Sequence, residues 1–524
     1  MAAFSSCITA DKDFSINNSP VLTAAMTHDK TATLPSQGDT TTAPTVAQTI
    51  TTMSPATNEP IIERKAATKE QIASLAPNSR KAYTSFRNSH PTLQSRADII
   101  NKALVLLSQK QDALSQELTE QMGRPISYTP VEIKTAIKRA EYLVKIAPEV
   151  LLNNIPVLGE VEAGFKRYLQ RHLPVGVVLI IFAWNYPYLI LMNSLIPALL
   201  AGNTVILKPS PQTPTIAEHM VEIFEQAGLP KGVIQHLHCG RVEDLKPLIQ
   251  HPDIDHVCFT GSVAGGQAVQ RLVVEGGRSI EVGIGLELGG KDPAYVRADV
   301  TDLAWAAGEI VDGAVFNSGQ SCCAIERVYV HEAVYDQFIQ ETIKVLKNYT
   351  VGDPSDKAVQ IGPVVSKKAK EAIEQQIQDA ISAGAQNQTP ENTSFTASQS
   401  LPGNYVTPTL LTHVNHSMTI MTAETFGPVI PVMKVSSDAE ALTFMNDSIF
   451  GLTASIWTRD EQQGEHLAQS VEAGTVFVNR ADYPSPDLAW TGWKQSGKGV
   501  TLSRFGFEQF TKVRSVHVKT YPGT

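Results

Sequence analysis

Apolar and polar residues follow three different patterns along this chain. Residues 1–53 are rich in Ser, Thr and Ala without apolar periodicity. This predicts a disordered tail, because such a segment buries too little surface to offset its ordering entropy. From about Thr68 to Leu118, apolar residues recur at helical spacing. After Val175, short β-branched runs alternate with amphipathic segments, which predicts a parallel sheet with helices on both faces.

A second strand–helix series runs from about Lys291 to Asn479. With 524 residues, the chain is longer than one hydrophobic core usually supports, so two or three domains are expected. Its last segment, residues 515–519, alternates like an edge strand. Because this strand has no partner nearby in the sequence, we hypothesise that it pairs across a subunit boundary.

The stretch from Val175 to Leu200 is almost free of charge and resembles a membrane span. Two asparagines and two prolines interrupt it, and its first part is rich in β-branched residues. This pattern favours a buried parallel strand, a loop and a buried helix. We therefore predict no association with a membrane.

The overall charge and the cysteines narrow the class of protein. The formal net charge is −9 and no block of basic residues occurs, which argues against nucleic acid as a partner and favours a small-molecule ligand. An odd, sparse set of cysteines indicates a reducing compartment, and the tail carries Asp but no Arg, unlike a mitochondrial presequence, so a cytoplasmic location is expected. The five cysteines are Cys7, Cys239, Cys258, Cys322 and Cys323.

One group of metal-ligating residue types occurs near the middle of the chain. Alternation places His236 and His238 on one face of a strand and Cys239 on the other. This favours the end of a strand over a metal site, and we predict no metal ion.

Cys322 is the strongest candidate for chemistry. It lies in Phe316-Asn317-Ser318-Gly319-Gln320-Ser321-Cys322-Cys323, where Gly, Ser, Asn and Gln suit a tight turn that presents a thiol. Free cysteines are most often small buried hydrophobic residues, and Cys239 and Cys258 fit that description. The polar neighbours of Cys322 instead indicate exposure and reactivity.

Two further polar residues follow apolar runs. Glu287, in Glu287-Leu288-Gly289-Gly290-Lys291, is poorly placed for a surface salt bridge and suits a partly desolvated general base. Asn185, in Trp184-Asn185-Tyr186-Pro187, follows the strand after Val175. Its amide is placed to donate to a developing oxyanion, although asparagine also commonly caps turns.

A glycine-rich loop, Phe259-Thr260-Gly261-Ser262-Val263-Ala264-Gly265-Gly266, follows a strand and opens a helix. Backbone N–H groups at such a helix start hold a pyrophosphate in dinucleotide-binding proteins. The loop is not a GxGxxG motif and by itself is weak evidence.

These four elements, in this order, resemble the aldehyde dehydrogenase superfamily over roughly residues 54–519. The resemblance implies an α/β fold: a Rossmann-like cofactor domain, an α/β catalytic domain and a small β-rich oligomerisation flap. The expected ranges are a tail at 1–53, a cofactor-binding domain at 54–288 interrupted by a flap segment at about 157–175, a catalytic domain at 289–480, and a return to the cofactor domain with the oligomerisation strand at 481–524. Further matching motifs are Lys208-Pro209-Ser210, Glu424-Thr425-Phe426-Gly427-Pro428, Asn446-Asp447-Ser448-Ile449-Phe450-Gly451-Leu452 and Gly474-Thr475-Val476-Phe477-Val478-Asn479.

The resemblance also implies a mechanism and a homodimer or homotetramer. Cys322 would attack an aldehyde carbon, while its backbone N–H and the Asn185 side chain hold the oxyanion. NAD or NADP would accept the hydride, and Glu287 would activate the water that cleaves the thioester. The residues expected around the dinucleotide are Trp184, Lys208, Ser210, Gly261, Ser262, Gly266, Leu288, Gly289, Glu424 and Phe426.

Two departures from the family pattern bear on specificity. Many NAD-preferring relatives carry Glu where Pro211 stands, and without that carboxylate a 2′-phosphate is not repelled, so NADP should at least be tolerated. Branches that oxidise acid semialdehydes commonly place Arg at the positions of Asn193 and Phe316. An uncharged aliphatic or aromatic aldehyde is therefore expected, in a pocket that also includes Tyr186, Tyr188 and Trp490.

Three alternatives remain beside this interpretation. A semialdehyde dehydrogenase of amino-acid or GABA catabolism would share the same reaction with a charged substrate. A CoA-acylating enzyme transfers the acyl group to a thiol, and Glu287 argues against it because thiol transfer does not need a base for water. A non-catalytic relative should have lost Cys322, Glu287 or Asn185, and all three are present.

Overall fold

The structure is a computed structural model that describes residues 48–521 except Asn153 and Asp482. Most strands fall where short apolar runs occur in the sequence, because a strand buried on both faces needs apolar residues at successive positions. The strands are β1 (Thr49–Met53), β2 (Pro60–Lys65), β3 (Ile155–Pro156), β4 (Phe165–Pro174), β5 (Val177–Ile181), β6 (Thr204–Lys208), β7 (Ile234–His236), β8 (His256–Thr260), β9 (Gly283–Glu287), β10 (Asp292–Val296), β11 (Ile325–His331), β12 (Gln386–Asn387), β13 (Thr409–Thr412), β14 (Val429–Val435), β15 (Phe450–Gly451), β16 (Thr453–Trp457), β17 (Thr475–Val478), β18 (Trp493–Lys494), β19 (Gly497–Lys498) and β20 (Thr511–Lys519).

The helices cover the sheets, and several begin at a side-chain cap. Ser262, for example, accepts a hydrogen bond from the Gly265 N–H at 3.2 Å and so opens the helix after the glycine-rich loop. The helices are α1 (Lys69–Ser89), α2 (Leu93–Gln109), α3 (Gln111–Met122), α4 (Thr129–Leu151), α5 (Pro187–Ala201), α6 (Thr215–Gln226), α7 (Lys246–Ile249), α8 (Val263–Glu275), α9 (Leu303–Val315), α10 (Tyr335–Leu346), α11 (Lys367–Ser382), α12 (Thr393–Ser398), α13 (Thr419–Thr422), α14 (Asp438–Asn446) and α15 (Glu461–Ala468).

The first large sheet has the strand order β19-β9-β8-β5-β6-β7, with β19 antiparallel and the others parallel. Its central strands β5 and β6 are buried at every position. The uncharged stretch after Val175 forms β5, a loop and the buried helix α5, as the sequence predicts. Among the described residues, no helix combines the length and apolar character that a membrane span requires.

The second large sheet has the order β12-β13-β14-β11-β10-β16-β17, in which only β12 is antiparallel to its neighbour. Strands β10 and β11 lie at its centre, immediately after the sequence motifs of Glu287 and Cys322. The parallel, doubly covered sheets confirm the predicted α/β fold class. The domain boundaries at residues 288 and 480 stay a prediction.

A separate three-stranded sheet has the order β20-β4-β3. The C-terminal strand β20 runs antiparallel to β4, with Lys519 opposite Phe165 and Thr511 opposite Pro174. Pairing of β20 across a subunit boundary stays a prediction, but the strand already has a partner in β4. Its partner is distant in the sequence but belongs to the same chain.

The prediction that disorder extends to residue 53 is wrong for the last residues of that segment. Thr49–Met53 forms β1, which pairs with β2 in an antiparallel hairpin. The Thr52 hydroxyl also donates to the Pro211 carbonyl at 2.7 Å. Backbone pairing and this long-range hydrogen bond order a segment that lacks apolar periodicity. Residues 1–47 lie outside the described part of the chain.

Candidate active site

Two cavities meet at Cys322. We call the first the aromatic cavity, after Tyr128, Tyr186, Phe316, Tyr483 and Trp490 in its wall. We call the second the glycine cavity, after Gly261 and Gly289 in its wall, which also contains Trp184, Ser262, Leu288 and Phe426. Asn185, Glu287 and Cys322 line both cavities. The three candidate catalytic side chains, far apart in the sequence, therefore surround one junction.

A left-handed turn presents Cys322. The 3-10 helix Phe316–Gly319 ends in Asn317, Ser318 and Gly319, with φ of 54°, 58° and 71°. Asparagine tolerates this conformation and glycine favours it, whereas most residues are strained there. The Asn317 amide donates to the Gln320 carbonyl at 3.1 Å and fastens the turn. Cys322 is half-buried and reaches both cavities, as expected for a reactive thiol, but the polar residues before it are buried and the turn is not exposed.

Glu287 is the last residue of β9, and the glycines after it allow a close approach. A Cβ atom at Gly289 would collide with the Glu424 carboxylate, and one at Gly290 would collide with the Cys322 carbonyl. The Glu287 carboxylate accepts a hydrogen bond from the Thr501 hydroxyl. The chain thus passes between Glu424 and the cysteine turn without space for any other side chain.

The surroundings of Glu287 set its basicity. Burial raises the pKa of its carboxyl above the ordinary value of 4.5, while hydrogen bonding from Thr501 and the positive charge of Arg139 oppose the rise. Asn193 and Thr260 also favour the ionised carboxylate. A carboxylate with a raised pKa is a better proton acceptor than an exposed one, as general base catalysis requires.

Asn185 lies in the loop between β5 and α5, with only 3% of its surface exposed. Its amide donates to the Gln320 carbonyl at 3.3 Å, on the turn that carries Cys322. The side chain of Arg124 donates to the Asn185 carbonyl and, from Nε, to the Asn317 side chain at 3.0 Å. One guanidinium therefore holds the loop of Asn185 and the cysteine turn together.

Arg124 is itself paired with the buried Glu132 of α4. Glu132 accepts a hydrogen bond from the Tyr188 N–H at 2.9 Å, at the start of α5. The sequence analysis missed this pair, because a lone arginine and a lone glutamate beside helices look like solvated charges. In the structure, Arg124 and Glu132 are only 2% and 3% exposed, which shows that they are internal parts of the site.

A second buried ion pair anchors the far wall of the glycine cavity. The Lys291 ammonium lies 2.8 Å from a Glu326 carboxylate oxygen, and Glu326 accepts from the Thr425 and Phe426 N–H groups at 2.7 Å each. Phe426 has a φ of 53° and packs edge-to-face on Trp184, with ring centroids 5.8 Å apart. This pair holds the motif of Glu424 and Phe426 in place, and the sequence analysis missed it as well.

Glu424 faces the glycine cavity. It accepts a hydrogen bond from the Gly290 N–H at 3.0 Å. Burial and the neighbouring charge of Glu326 raise the pKa of its carboxyl to about 7.

Three of the predicted dinucleotide residues lie outside the wall of the glycine cavity. Gly266 is in the first turn of α8 and packs against Leu288. Lys208 ends β6, and Ser210 follows it, half-buried. The Lys208 side chain is buried, yet among the described residues it has no hydrogen bond or ion pair. The ammonium at the end of this buried side chain has no protein acceptor, so it can bind the hydroxyl or phosphate groups of a nucleotide.

Four of the five predicted substrate-pocket residues line the aromatic cavity: Tyr186, Asn193, Phe316 and Trp490. Tyr188 does not, and its inclusion was wrong. It is fully buried in the core between helices and sheet, with 0% exposure. Tyr186 is the residue before α5, and Tyr188 lies in its first turn. Residues two apart at a helix point in different directions, so the two tyrosine side chains do not share one cavity.

The structure adds a third residue to the histidine pair at the end of β7, where His236 is the last residue of the strand and His238 lies beyond it. Ligand atoms of Glu218, His236 and His238 lie within 4.8 Å of one another. The Arg64 guanidinium, however, donates to both Glu218 oxygens, at 2.7 and 3.0 Å, and His238 is 2.9 Å from the same carboxylate. Glu218 is thus already neutralised by an ion pair.

Comparison with known proteins agrees with this geometry. An aldehyde dehydrogenase of Paenarthrobacter nicotinovorans is 33% identical over 86% of this chain and 95% of its own length. Succinate-semialdehyde dehydrogenase [NADP(+)] 1 of Mycobacterium ulcerans is 31% identical over 86% of this chain and 96% of its own. The crystal structure of betaine aldehyde dehydrogenase from Staphylococcus aureus in complex with NAD+ superposes with a TM-score of 0.83 at 26% identity, covering 91% of this chain and 93% of the other.

The family model described as "Aldehyde dehydrogenase family" matches residues 42–516, nearly the whole chain. Related proteins carry either NAD+ or NADP+ in their names or structures, in agreement with a dinucleotide-dependent oxidoreductase. This extent of similarity, together with the junction formed by Cys322, Glu287 and Asn185, establishes that the chain belongs to the aldehyde dehydrogenase family.

Proposed function

We propose that this enzyme oxidises an uncharged aldehyde to its carboxylic acid by a hydrolytic thioester mechanism. The observation that carries the proposal is the junction of the two cavities, where a thiol, a buried carboxylate and a primary amide face one point. The aromatic cavity would admit the aldehyde, and the glycine cavity would hold the nicotinamide. Bound NAD(P)+ supplies the hydride acceptor.

The residues divide the reaction between them. The Cys322 thiol releases its proton to solvent, and the resulting thiolate sulfur bonds to the aldehyde carbon. The negative charge that develops on oxygen is held by the Asn185 amide and the Cys322 N–H. Loss of hydride from that carbon leaves a thioester. Glu287 takes a proton from water as the water oxygen bonds to the acyl carbon. The carbon–sulfur bond then breaks and the carboxylic acid leaves. Protonated Glu287 gives its proton to the departing sulfur, which restores both the carboxylate and the thiol.

Contacts around the aromatic cavity support an uncharged substrate. Arg124 is paired with Glu132, and Arg139 donates to Asn193 and to the carbonyls of Leu189 and Pro484. Arg124 is thus committed to Glu132, and a substrate carboxylate that approached the terminal nitrogens of Arg139 would compete with the three protein oxygens that accept from them. An acid semialdehyde is the second candidate, because a relative with 31% identity bears that name.

A panel of aldehydes tests the substrate class. We expect kcat/KM for benzaldehyde and hexanal to exceed that for succinate semialdehyde by at least about tenfold, the effect of one missing charge-assisted hydrogen bond. The measurement is the initial rate of NAD(P)H formation at matched pH. A preference for succinate semialdehyde would reject the uncharged class and leave the reaction type unaffected.

The cofactor residues are proposed as in the family. Lys208 and Ser210 would bind the adenosine ribose and its substituents, Ser262 a phosphate, and Glu424 the nicotinamide ribose. Phe426, braced by Glu326 and Trp184, would contact the nicotinamide. The unpartnered ammonium of Lys208 is the feature that supports this orientation.

Replacing Pro211 by Glu should move cofactor preference towards NAD. The new carboxylate would repel a 2′-phosphate and accept hydrogen bonds from a ribose diol, so we expect kcat/KM for NADP to fall about tenfold or more relative to NAD. Steady-state kinetics with both cofactors measures the ratio. Pro211→Ala, which removes the ring without adding charge, is the matched control. An unchanged ratio in Pro211→Glu would show that position 211 does not face the ribose.

We also infer a homodimer or homotetramer in the cytoplasm. The small β20-β4-β3 sheet has β20 at its edge, which is available for contact with another copy. All four cysteines within the described residues are free thiols, as expected in a reducing compartment.

A further inference from the structure

Thr501 is a buried residue whose backbone is fixed by neighbouring segments. It follows β19, and its N–H and carbonyl form hydrogen bonds of 2.8 Å with the carbonyl and N–H of Trp490. β19 in turn pairs with β9, with Gly497 opposite Glu287. The position of Thr501 is therefore set relative to the strand that ends in the proposed general base.

The hydroxyl of Thr501 contacts that base directly. It donates a hydrogen bond to Oε1 of the Glu287 carboxylate. Because threonine is branched at Cβ, its side chain has few rotamers, and a fixed backbone largely fixes the hydroxyl as well. Holding one carboxylate oxygen also restricts the directions in which the other oxygen can point. Glu287 lines the junction beside Cys322, so this orientation decides whether the carboxylate reaches a water next to the acyl carbon.

The charged and titratable groups around Glu287 line three cavities, the third being a small cavity that Thr501 and Glu287 share. Lys498 lines this small cavity but is exposed to water, which screens its charge. Within the described residues, no cation lies at ion-pair distance from the Glu287 carboxylate. The groups are Arg124, Tyr128, Glu132, Arg139, Tyr186, Cys322, Cys323 and Tyr483 in the aromatic cavity, Glu424 in the glycine cavity, and Cys258 and Lys498 in the small cavity.

The hydrogen bond from Thr501 opposes the effect of burial on the base. Burial raises the pKa of Glu287, and this hydrogen bond is the strongest of the influences that lower it, followed by the charge of Arg139. A donor that bonds to a carboxylate stabilises its ionised form. Removing the hydroxyl while keeping the side-chain volume should therefore make the buried carboxylate easier to protonate.

We propose that Thr501 is a positioning residue for the general base: its hydroxyl holds the Glu287 carboxylate at the junction in the ionised, proton-accepting form. This inference rests on the proposed role of Glu287 in thioester hydrolysis. It assigns Thr501 to the hydrolysis step, because formation of the thioester does not use the base.

Thr501→Val tests the proposal, because valine has nearly the shape of threonine and lacks the hydroxyl. With benzaldehyde and NAD over a range of pH, we expect a retained burst of NADH followed by a steady-state rate about tenfold below that of the wild type. The acid limb of kcat should move upwards by about one pH unit, and mass spectrometry of the quenched enzyme should show more acyl group on Cys322. Since kcat/KM reports the steps up to the thioester, it should change little.

Thr491 provides the matched control. It lines the same small cavity, but its hydroxyl donates to the Gly499 carbonyl at 2.9 Å. Thr491→Val removes a hydroxyl from this cavity without removing a hydrogen bond to Glu287. We therefore expect the acid limb and the steady-state rate of Thr491→Val to match those of the wild type.

Two further variants keep the test decisive if thermal unfolding shows that Thr501→Val does not fold. Thr501→Ser and Thr501→Ala both lack the γ-methyl group, and only serine keeps the hydroxyl. Serine should restore the wild-type acid limb, whereas alanine should shift it as valine does. A wild-type acid limb in a folded variant without the hydroxyl, or slower turnover without more acyl-enzyme, would overturn the proposal. Absence of an acyl-enzyme in the wild type and in Glu287→Gln alike would instead reject the thioester mechanism itself.

Discussion

Cys322→Ser should lower the rate of aldehyde-dependent NAD(P)H formation by roughly four to six powers of ten, as removal of other catalytic nucleophiles does. A serine hydroxyl at this position would remain protonated, because an alcohol is a much weaker acid than a thiol. The variant should still fold, because residue 322 is half-buried in a turn fastened by Asn317 and Arg124. The measurement is the initial rate with saturating aldehyde, together with the melting temperature.

The adjacent thiol provides the control. Cys323 is buried beside Trp490 and Leu502, and Cys323→Ala should retain activity within about tenfold, since it removes one small buried group. If Cys323→Ala lost as much activity as Cys322→Ser, the nucleophile would no longer be assigned to residue 322.

Glu287→Gln should separate the two halves of the reaction. Glutamine keeps an oxygen for the Thr501 hydroxyl but cannot accept a proton from water. We expect a burst of about one NAD(P)H per active site, followed by steady-state turnover roughly 10²- to 10⁴-fold slower than in the wild type. Rapid mixing resolves the burst, and mass spectrometry of the quenched enzyme should detect the acyl group on Cys322.

The wild-type pH profile follows from the same carboxylate. Because the working form is the ionised one, kcat should fall as pH falls through the raised pKa of Glu287, so the acid limb should lie above the ordinary value of 4.5. This limb should be absent in Glu287→Gln. The exposed Glu281, which pairs with Arg278 on the surface, offers the matched control Glu281→Gln, in which burst and turnover should be unchanged. A wild-type steady-state rate in Glu287→Gln, with hydrolysis limiting, would remove Glu287 from the mechanism.

The residues of the candidate site that lie in short, recognisable motifs could be predicted from the sequence. Asn185 and Glu287 follow strands of one parallel sheet, and parallel strands bring such positions to one edge of that sheet. Cys322 precedes a strand of the other large sheet, so its meeting with these two residues was expected from the family resemblance and not from the α/β alternation. The turn at Asn317 and the close approaches at Gly289 likewise have local signatures.

The supporting residues were not predictable in this way. Arg139, Glu132 and Glu326 are charged residues in helices and strands, and charge in such positions usually means contact with water. Their burial depends on long-range packing of α4 against α5 and on the loop after Thr422. The prediction for Tyr188 was wrong for a related reason. The sequence does not show where α5 begins, and so it does not show that the Tyr188 side chain points into the core.

The proposed nucleophile and the proposed general base belong to different sheets. Glu287 ends a strand of the six-stranded sheet, whereas Cys322 precedes the second strand of the seven-stranded sheet. The distance between Glu287 and Cys322 therefore depends on the relative position of the two sheets. A displacement of about one ångström between them would leave each sheet intact but would move the water away from the acyl carbon. The turnover rate should therefore respond to a change in the packing of the two sheets before any spectroscopic signal from the helices and strands does.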